Sequence, residues 1–299
     1  MMRLDWGEPE LFRVACLQIN ASDSVEKTLT RIIELSQEAA ERGAHCVVLP
    51  ENALQMPVSG QSRVVEDWLP SAPTGAVTLQ RAMRDLAQTL NTVLIVGSQP
   101  IRSAPRAKPT ARSYALGRDG EVLALYDKIH LFDVQTQSEH GVQDYFESRD
   151  FDAGALTQLQ HVPGPVFEHP THPSKARIGL SICYDLRFPE WYRCLLDAGA
   201  QIMVVPAAFT AETGEKHWHS LLRARAIENQ CFVVAAGQCG PHLRGSATRH
   251  TWGHSMVIGP DGEIISTLAH DEGLLIADID LTSIAKLVNR FPTVRHRRL

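Results

Sequence analysis

With 299 residues, 34 acidic side chains against 29 lysines and arginines for a net charge of −5, and 44% hydrophobic content, the chain has the make-up of an ordinary globular protein. Its slight acidity excludes the electrostatic footprint of a nucleic-acid or anionic-membrane binder, the short basic tail Arg295, His296, Arg297 and Arg298 aside. No apolar run approaches the ~20 residues that cross a bilayer, the start of the chain is acidic where a leader is basic, and the six cysteines show no C-x-x-C spacing, so a cytoplasmic protein with reduced thiols is expected.

In chain order, FRVACLQIN (12–20) reads as a strand. A helix is predicted over 24–42, with Leu29, Ile32, Ile33 and Ala40 on one face, an Asp23–Glu26 capping box and Gly43 at its C-terminal cap. An apolar strand in RGAHCVVLPENA (42–53) stops at Pro50, and a second helix fits 76–90 through Met83, Leu86, Ala87 and Leu90. NTVLIVGSQ (91–99) is a third strand, the Pro-rich piece 100–109 a surface loop, and 113–125 a hairpin turning at Asp119-Gly120. The same order then recurs. ARIGLSICY (176–184) echoes the first strand, down to a basic residue, Arg13 or Arg177, at its start. AGAQIMVVPAAF (198–209) stops at Pro206, a helix fits 215–229 through Trp218, Leu221 and Leu222, NQCFVVAAGQ (229–238) answers the third strand, and 254–268 turns at Asp261-Gly262.

A mixed sheet with helices on one face leaves its other apolar face bare, so two such sheets pack face to face. The expected fold is α/β, a four-layer αββα sandwich of two mixed sheets with an internal pseudo-twofold repeat. A single domain over 1–299 is expected, with a core at 12–284 and a C-terminal tail at 285–299. Two separate Rossmann-like domains would need a Gly-rich phosphate loop and a linker, and the sequence has neither.

Three polar residues fall at strand ends, where open sheets place their active sites: Glu51, Lys128 and Cys183. Their counterparts in the other half are Ala207, His270 and Ile19, so the architecture does not require them. Singly, each has an ordinary explanation: a helix cap, a surface charge, a packed thiol. Together they supply the base, the cationic donor and the nucleophile that amide cleavage by a thiol requires. A Cys–His arrangement stays open, because the chain has 13 histidines.

The blocks VVLPEN around Glu51, YDKIHLFD around Lys128 and GLSICYDLRFPEWYR around Cys183, with AFTAETGEKHWHSLLRARAIENQCFVVAAGQCG after them, resemble the nitrilase superfamily of carbon–nitrogen hydrolases over 12–298. CYDLRFPE and HLFD are similar to its Nit branch of ω-amidases. The resemblance implies Glu51 as general base, Cys183 as nucleophile through a thioester, and Lys128 with the backbone N–H of Tyr184 as oxyanion donors, without metal or cofactor. It implies a further glutamate between the lysine and cysteine blocks; Glu147, in YFESRDFDAG, fits with Tyr145 in a phenylalanine's place, and Glu139 is the less favoured choice.

The implied activity is hydrolysis of the ω-amide of a 2-oxo-dicarboxylic acid derivative. Deaminated glutathione is the favoured substrate, and 2-oxoglutaramate or 2-oxosuccinamate the alternative. An idle scaffold or a thiol sensor at Cys183 is the non-enzyme reading. The expected partners are a small amide and further copies of the chain, in a homodimer or higher homo-oligomer to which 291–299 contribute, with no nucleic acid and no membrane.

Arg187, four residues after the cysteine, offers a planar fork for a substrate carboxylate, or an ion pair with Asp185 or Glu190. Thr213, in the loop TAETGEKHW, matches a family position near the substrate's carboxylate end. His217 and His219 diverge on a helix and are read as packing rather than as a metal pair.

Overall fold

The computed structural model describes residues 11–56, 63–69, 78–103, 107–138, 141–161, 163–244 and 247–298. The first half runs β1 (Leu11–Gln18), α1 (Val25–Glu41), β2 (Cys46–Val48), β3 (Glu66–Asp67), α2 (Leu79–Leu90), β4 (Val93–Arg102), β5 (Thr110–Leu116) and β6 (Val122–Asp127). A hairpin of β7 (Asp133–Ser138) and β8 (Gly141–Phe146) follows. The second half runs β9 (Val166–Glu168), β10 (Arg177–Leu180), α3 (Pro189–Asp197), β11 (Ile202–Ala207), α4 (Ala211–Asn229), β12 (Phe232–Gly237), β13 (Cys239–Arg244), β14 (Ala247–Trp252), β15 (Met256–Ile258), β16 (Ile264–Thr267), β17 (Gly273–Asp280) and α5 (Thr282–Arg290).

One sheet has the order β17-β1-β2-β4-β5-β6, with β3 beside β4; the other has the order β16-β15-β12-β11-β10-β9. Alternation along the strands builds the layers. Val14, Cys16, Val48 and Ile95 join Leu180, Val204 and Val234 in the core between the sheets. Ala15, Leu17, Val47 and Leu94 point the other way, onto Ile32 and Leu35 of α1 and Met83 and Leu86 of α2. On the second sheet α3 and α4 lay Trp191, Leu195, Trp218 and Leu222, each buried side chain contributing roughly 1.5–3 kcal/mol.

The repeat extends to individual hydrogen bonds. Gly43 and Gly199, at φ +79° and +90°, end α1 and α3 with the same pair of bonds, Gly43 N to Ala40 O and Ala44 N to Ala39 O, against Gly199 N to Leu196 O and Ala200 N to Leu195 O. The echoed arginines share a cap: Arg13 donates to the Arg42 carbonyl at 2.8 Å, and Arg177 to that of Ala198 at 2.7 Å, each closing a helix end, while Arg13 also pairs with Asp278. The Asp-Gly turns match likewise, with Gly120 N on Gly117 O and Gly262 N on Gly259 O, both at 2.9 Å.

Each half's run of strands is followed by one that completes the other half's sheet: β9, reached from β6 through the β7–β8 hairpin, pairs antiparallel with β10, and β17, after β16, pairs antiparallel with β1. The sequence reading had no place for these strands, nor for the hairpins β7–β8 and β13–β14 or for α5, which spans the boundary drawn at 284.

Other expectations shift. Ser24, not Asp23, caps α1, accepting from Lys27 N at 3.4 Å; this puts Glu26 only two residues from the cap and removes the capping box. Pro100 to Arg102 belong to β4 rather than to a loop. The second helix is seen from Leu79, its expected first residues lying outside the described ones. The last repeat helix begins at Ala211, so Thr213 is helical rather than in a loop.

Candidate active site

Glu51 lies three residues beyond the end of β2, not at its end. The chain leaves the strand by passing close over β4 at Gly97, where a Cβ would come within 2.1 Å of the Pro50 carbonyl oxygen. The turn is fixed by Asn52, at φ +53° with its N–H on Ser98 Oγ at 2.8 Å, and by Gln238 Nε2, which donates to the Glu51 carbonyl at 3.0 Å. Glu51 is thereby buried.

Cys183 also stands beyond its strand, since β10 stops at Leu180. Its φ of +44° is costly for a residue with a Cβ, and it opens a short 3₁₀ turn, Cys183–Arg187. What holds the turn is Asp185, fully buried. One carboxylate oxygen accepts from Ile182 N at 2.8 Å and from the Tyr126 hydroxyl at 2.7 Å, and the other lies 2.7 Å from His130 Nδ1. The His130 ring stacks on Phe188 at 3.8 Å. The turn that carries Cys183 is thus tied to the segment that carries Lys128.

Lys128 follows the last residue of β6 and is buried to 1% exposure. Its Nζ lies 2.7 Å from Glu51 Oε1 and 2.9 and 3.1 Å from the two Glu147 oxygens. Glu51 Oε2 accepts the Ala208 N–H at 2.8 Å, and Glu147 Oε2 that of Phe132 at 2.7 Å. The Cys183 thiol lies within electrostatic reach of the Glu51 carboxylate, the Lys128 ammonium and the Ala208 N–H.

These neighbours set the protonation states. Burial favours the neutral form of Glu51, but the Lys128 ammonium and the hydrogen bonds from Lys128, Cys183 and Ala208 outweigh it and hold the carboxyl below its usual value. Burial and the Glu51 charge push the Cys183 thiol well up, with Lys128 opposing them. Burial lowers the Lys128 ammonium, yet the charges of Glu147 and Glu51 more than restore it, for a net rise. At neutral pH the cluster therefore holds a neutral thiol beside an ionised carboxylate and a permanent cation. Such a cluster can remove a proton from sulfur as it attacks and stabilise negative charge nearby.

The structure thus brings Glu51, Lys128, Glu147 and Cys183 together; Glu139 lies outside the described residues. Tyr184 is the second residue of the 3₁₀ turn, where a backbone N–H has no acceptor within the turn, and its ring lies 5.1 Å from that of Phe132. Arg187 pairs with neither Asp185 nor Glu190, because Asp185 is consumed inside the turn. Its guanidinium lies over Phe209 at 5.1 Å and Tyr184 at 5.9 Å, with His217 Nδ1 at 3.2 Å. Thr213 Oγ1 is 2.7 Å from Thr210 Oγ1, next to Phe209. His217 faces Arg187 while the His219 ring faces His254 at 5.6 Å, so the two diverge. Among the described residues no group of three or more His, Cys, Asp or Glu side chains is arranged to hold a metal ion, and no helix is long and apolar enough to cross a membrane.

Sequence reasoning missed Asp185 as an anchor, the Ala208 N–H and Gly97. A carboxylate two residues after the cysteine in an apolar segment was a signal for the first; the others depend on chain crossings that leave no local trace.

The family described as Carbon-nitrogen hydrolase matches residues 13–288. The deaminated glutathione amidase of Yersinia enterocolitica is 36% identical over 288 residues, covering 95% of this chain and 92% of its own. That of Homo sapiens is 36% identical over 302 residues, covering 99% and 85%. Among solved structures, Saccharomyces cerevisiae Nit3, a member of branch 10 of the nitrilase superfamily, superposes with a TM-score of 0.79 at 26% identity, covering 97% of both chains.

Proposed function

This chain belongs to the carbon–nitrogen hydrolase family, and on that premise we propose that it is a thiol amidase whose substrate is deaminated glutathione, cleaved to 2-oxoglutarate and cysteinylglycine. The observation that carries the reading is the buried Glu51 carboxylate, 2.7 Å from the Lys128 ammonium and close enough to the Cys183 thiol for its charge to raise the thiol's pKa.

In this mechanism the Cys183 sulfur attacks the ω-amide carbonyl as Glu51 takes its proton. The oxyanion is received by Lys128 and the Tyr184 N–H, each such donor lowering the barrier by ~2.7–4 kcal/mol. Glu51 passes the proton to the departing amine, then deprotonates the water that hydrolyses the thioester. Glu147, with both oxygens within 3.1 Å of Nζ, holds Lys128 in position. Arg187, without a carboxylate partner among the described residues, receives the 2-oxo acid's carboxylate, with Thr213 at the same end.

The reading includes one domain, a cytoplasmic setting and a homo-oligomer that buries the C-terminal segment, where Phe291 is 62% exposed. The alternative, release of ammonia from 2-oxoglutaramate, differs only in the leaving group. Measuring kcat/KM for both substrates decides: a higher value for deaminated glutathione supports the assignment, and a higher value for 2-oxoglutaramate overturns it.

A further inference from the structure

A second guanidinium near the catalytic centre lacks a carboxylate. Arg249, on β14, donates through Nη2 to the Ala208 carbonyl at 3.1 Å, and Ala208 is the residue whose N–H holds Glu51 and the thiol. Its guanidinium lies over the Tyr145 ring at 5.4 Å. Tyr145 in turn packs against Phe132 at 5.1 Å, and Phe132 against Tyr184, the residue after the nucleophile. The Arg249 Nε is buried, and it has no hydrogen-bond acceptor and no ion pair among the described residues. A buried, unsatisfied charged donor is costly unless something else binds there.

A further cation lies nearby. Arg63, which pairs with Asp150 at 3.1 Å, is close enough for Arg249 to add to the burial that disfavours its charged form. An anion docked at Arg249 would relieve that repulsion and satisfy Nε at once. Its position also says which part of a substrate it meets. Arg187 belongs to the nucleophile's own turn, whereas Arg249 is bound to the residue that holds the general base, and the base delivers its proton to the leaving amine.

We propose that Arg249 is a specificity-determining residue that binds a carboxylate carried by the leaving amine, making this amidase selective for amides that release an anionic amino acid or peptide rather than ammonia. This rests on the amidase reading above and adds a prediction of its own. The probes are deaminated glutathione, the same compound with its terminal carboxylate converted to an amide, and 2-oxoglutaramate.

For wild-type enzyme, amidation of the terminal carboxylate should lower kcat/KM roughly 30-fold, mostly through KM. Arg249→Gln should lower kcat/KM for deaminated glutathione by a similar factor, shrink its preference over 2-oxoglutaramate at least about tenfold, and make the acid and the amidated compound equivalent substrates. Arg249→Lys, which keeps the charge without the fork, should fall between. An equal fall on all substrates would mean that Arg249 acts only by holding Ala208, and would overturn the proposal while leaving the amidase reading intact. An amidated compound cleaved as well as the acid by wild-type enzyme would overturn it without any variant. Wild-type enzyme inactive on all three would remove the amidase reading itself and this inference with it.

Discussion

The two halves of the molecule are nearly the same object until the point where chemistry begins. Their helix ends, arginine caps and Asp-Gly turns repeat bond for bond, yet β11 keeps its register on β12 through Pro206 and Ala207, while β2 leaves β4 after Val48. The reason is the residue opposite the proline. Ala236 pairs with Pro206 in a continuing strand, whereas Gly97, its counterpart, admits the Leu49 and Pro50 carbonyls where a Cβ cannot fit. The first strands differ in the same way, β1 running on to Gln18 while β10 stops at Leu180 and turns sharply at Cys183. Symmetry serves folding here, and each break in it delivers one functional group.

The comparison is broken most severely at Lys128 and its counterpart His270. Lys128→Met should lower kcat/KM at least ~10⁴-fold, since it removes the proposed oxyanion donor and takes the cation away from the buried Glu51 and the half-buried Glu147, and should lower the thermal midpoint through a loss of roughly 3–5 kcal/mol. His270→Met should leave kcat/KM within about threefold. Steady-state kinetics on both variants test this, and similar losses at the two positions would refute the asymmetry.

Next comes the glycine. Gly97→Ala should displace the Glu51 turn and lower kcat about 100-fold, because a ~1 Å misplacement of a catalytic group has that effect. Ala236→Gly should cost only about 1 kcal/mol, with kcat retained. Kinetics and urea melts of the pair separate the two outcomes.

The smallest effect is in pH. The proposed mechanism needs ionised Glu51 and a protonated thiol, and both are shifted outward, so kcat/KM should stay flat from about pH 5 to 8. Stability should behave otherwise. Burial lowers His169 and His242 to about 4, so between about 6.5 and 4 the unfolded chain binds protons that the folded one does not. Their contribution is complete above pH 6.5 and lost as pH falls, so the thermal midpoint should drop between pH 7 and 5 while kcat/KM holds. A parallel fall of both would contradict the assignment of protonation states.

Much of this was legible in the sequence, because the cues are local. Gly43, Gly120 and Gly262 mark φ values that favour glycine, and the echo of Arg13 in Arg177 marked a shared cap before its function was visible. Glu51, Lys128 and Cys183 stood out because a repeat predicts what should occupy their positions and they do not match it. The exchange of β9 and β17 was not legible, since the three-residue Val166–Glu168 has no periodicity to read and the alternation of Gly273–Asp280 does not say which sheet it joins. The contacts of Asp185 and Arg249 were not legible either, since Tyr126, His130 and Ala208 are distant along the chain and close only in the fold.

The most direct test is to trap the acyl-enzyme with a slow ω-amide substrate and weigh it. The account predicts a mass increase equal to the 2-oxoglutaryl group, mapped to the peptide containing Cys183 and absent from Cys183→Ala, which should fold normally but not turn over. Turnover by Cys183→Ala, or an acyl group carried by any of the other five cysteines, would contradict it.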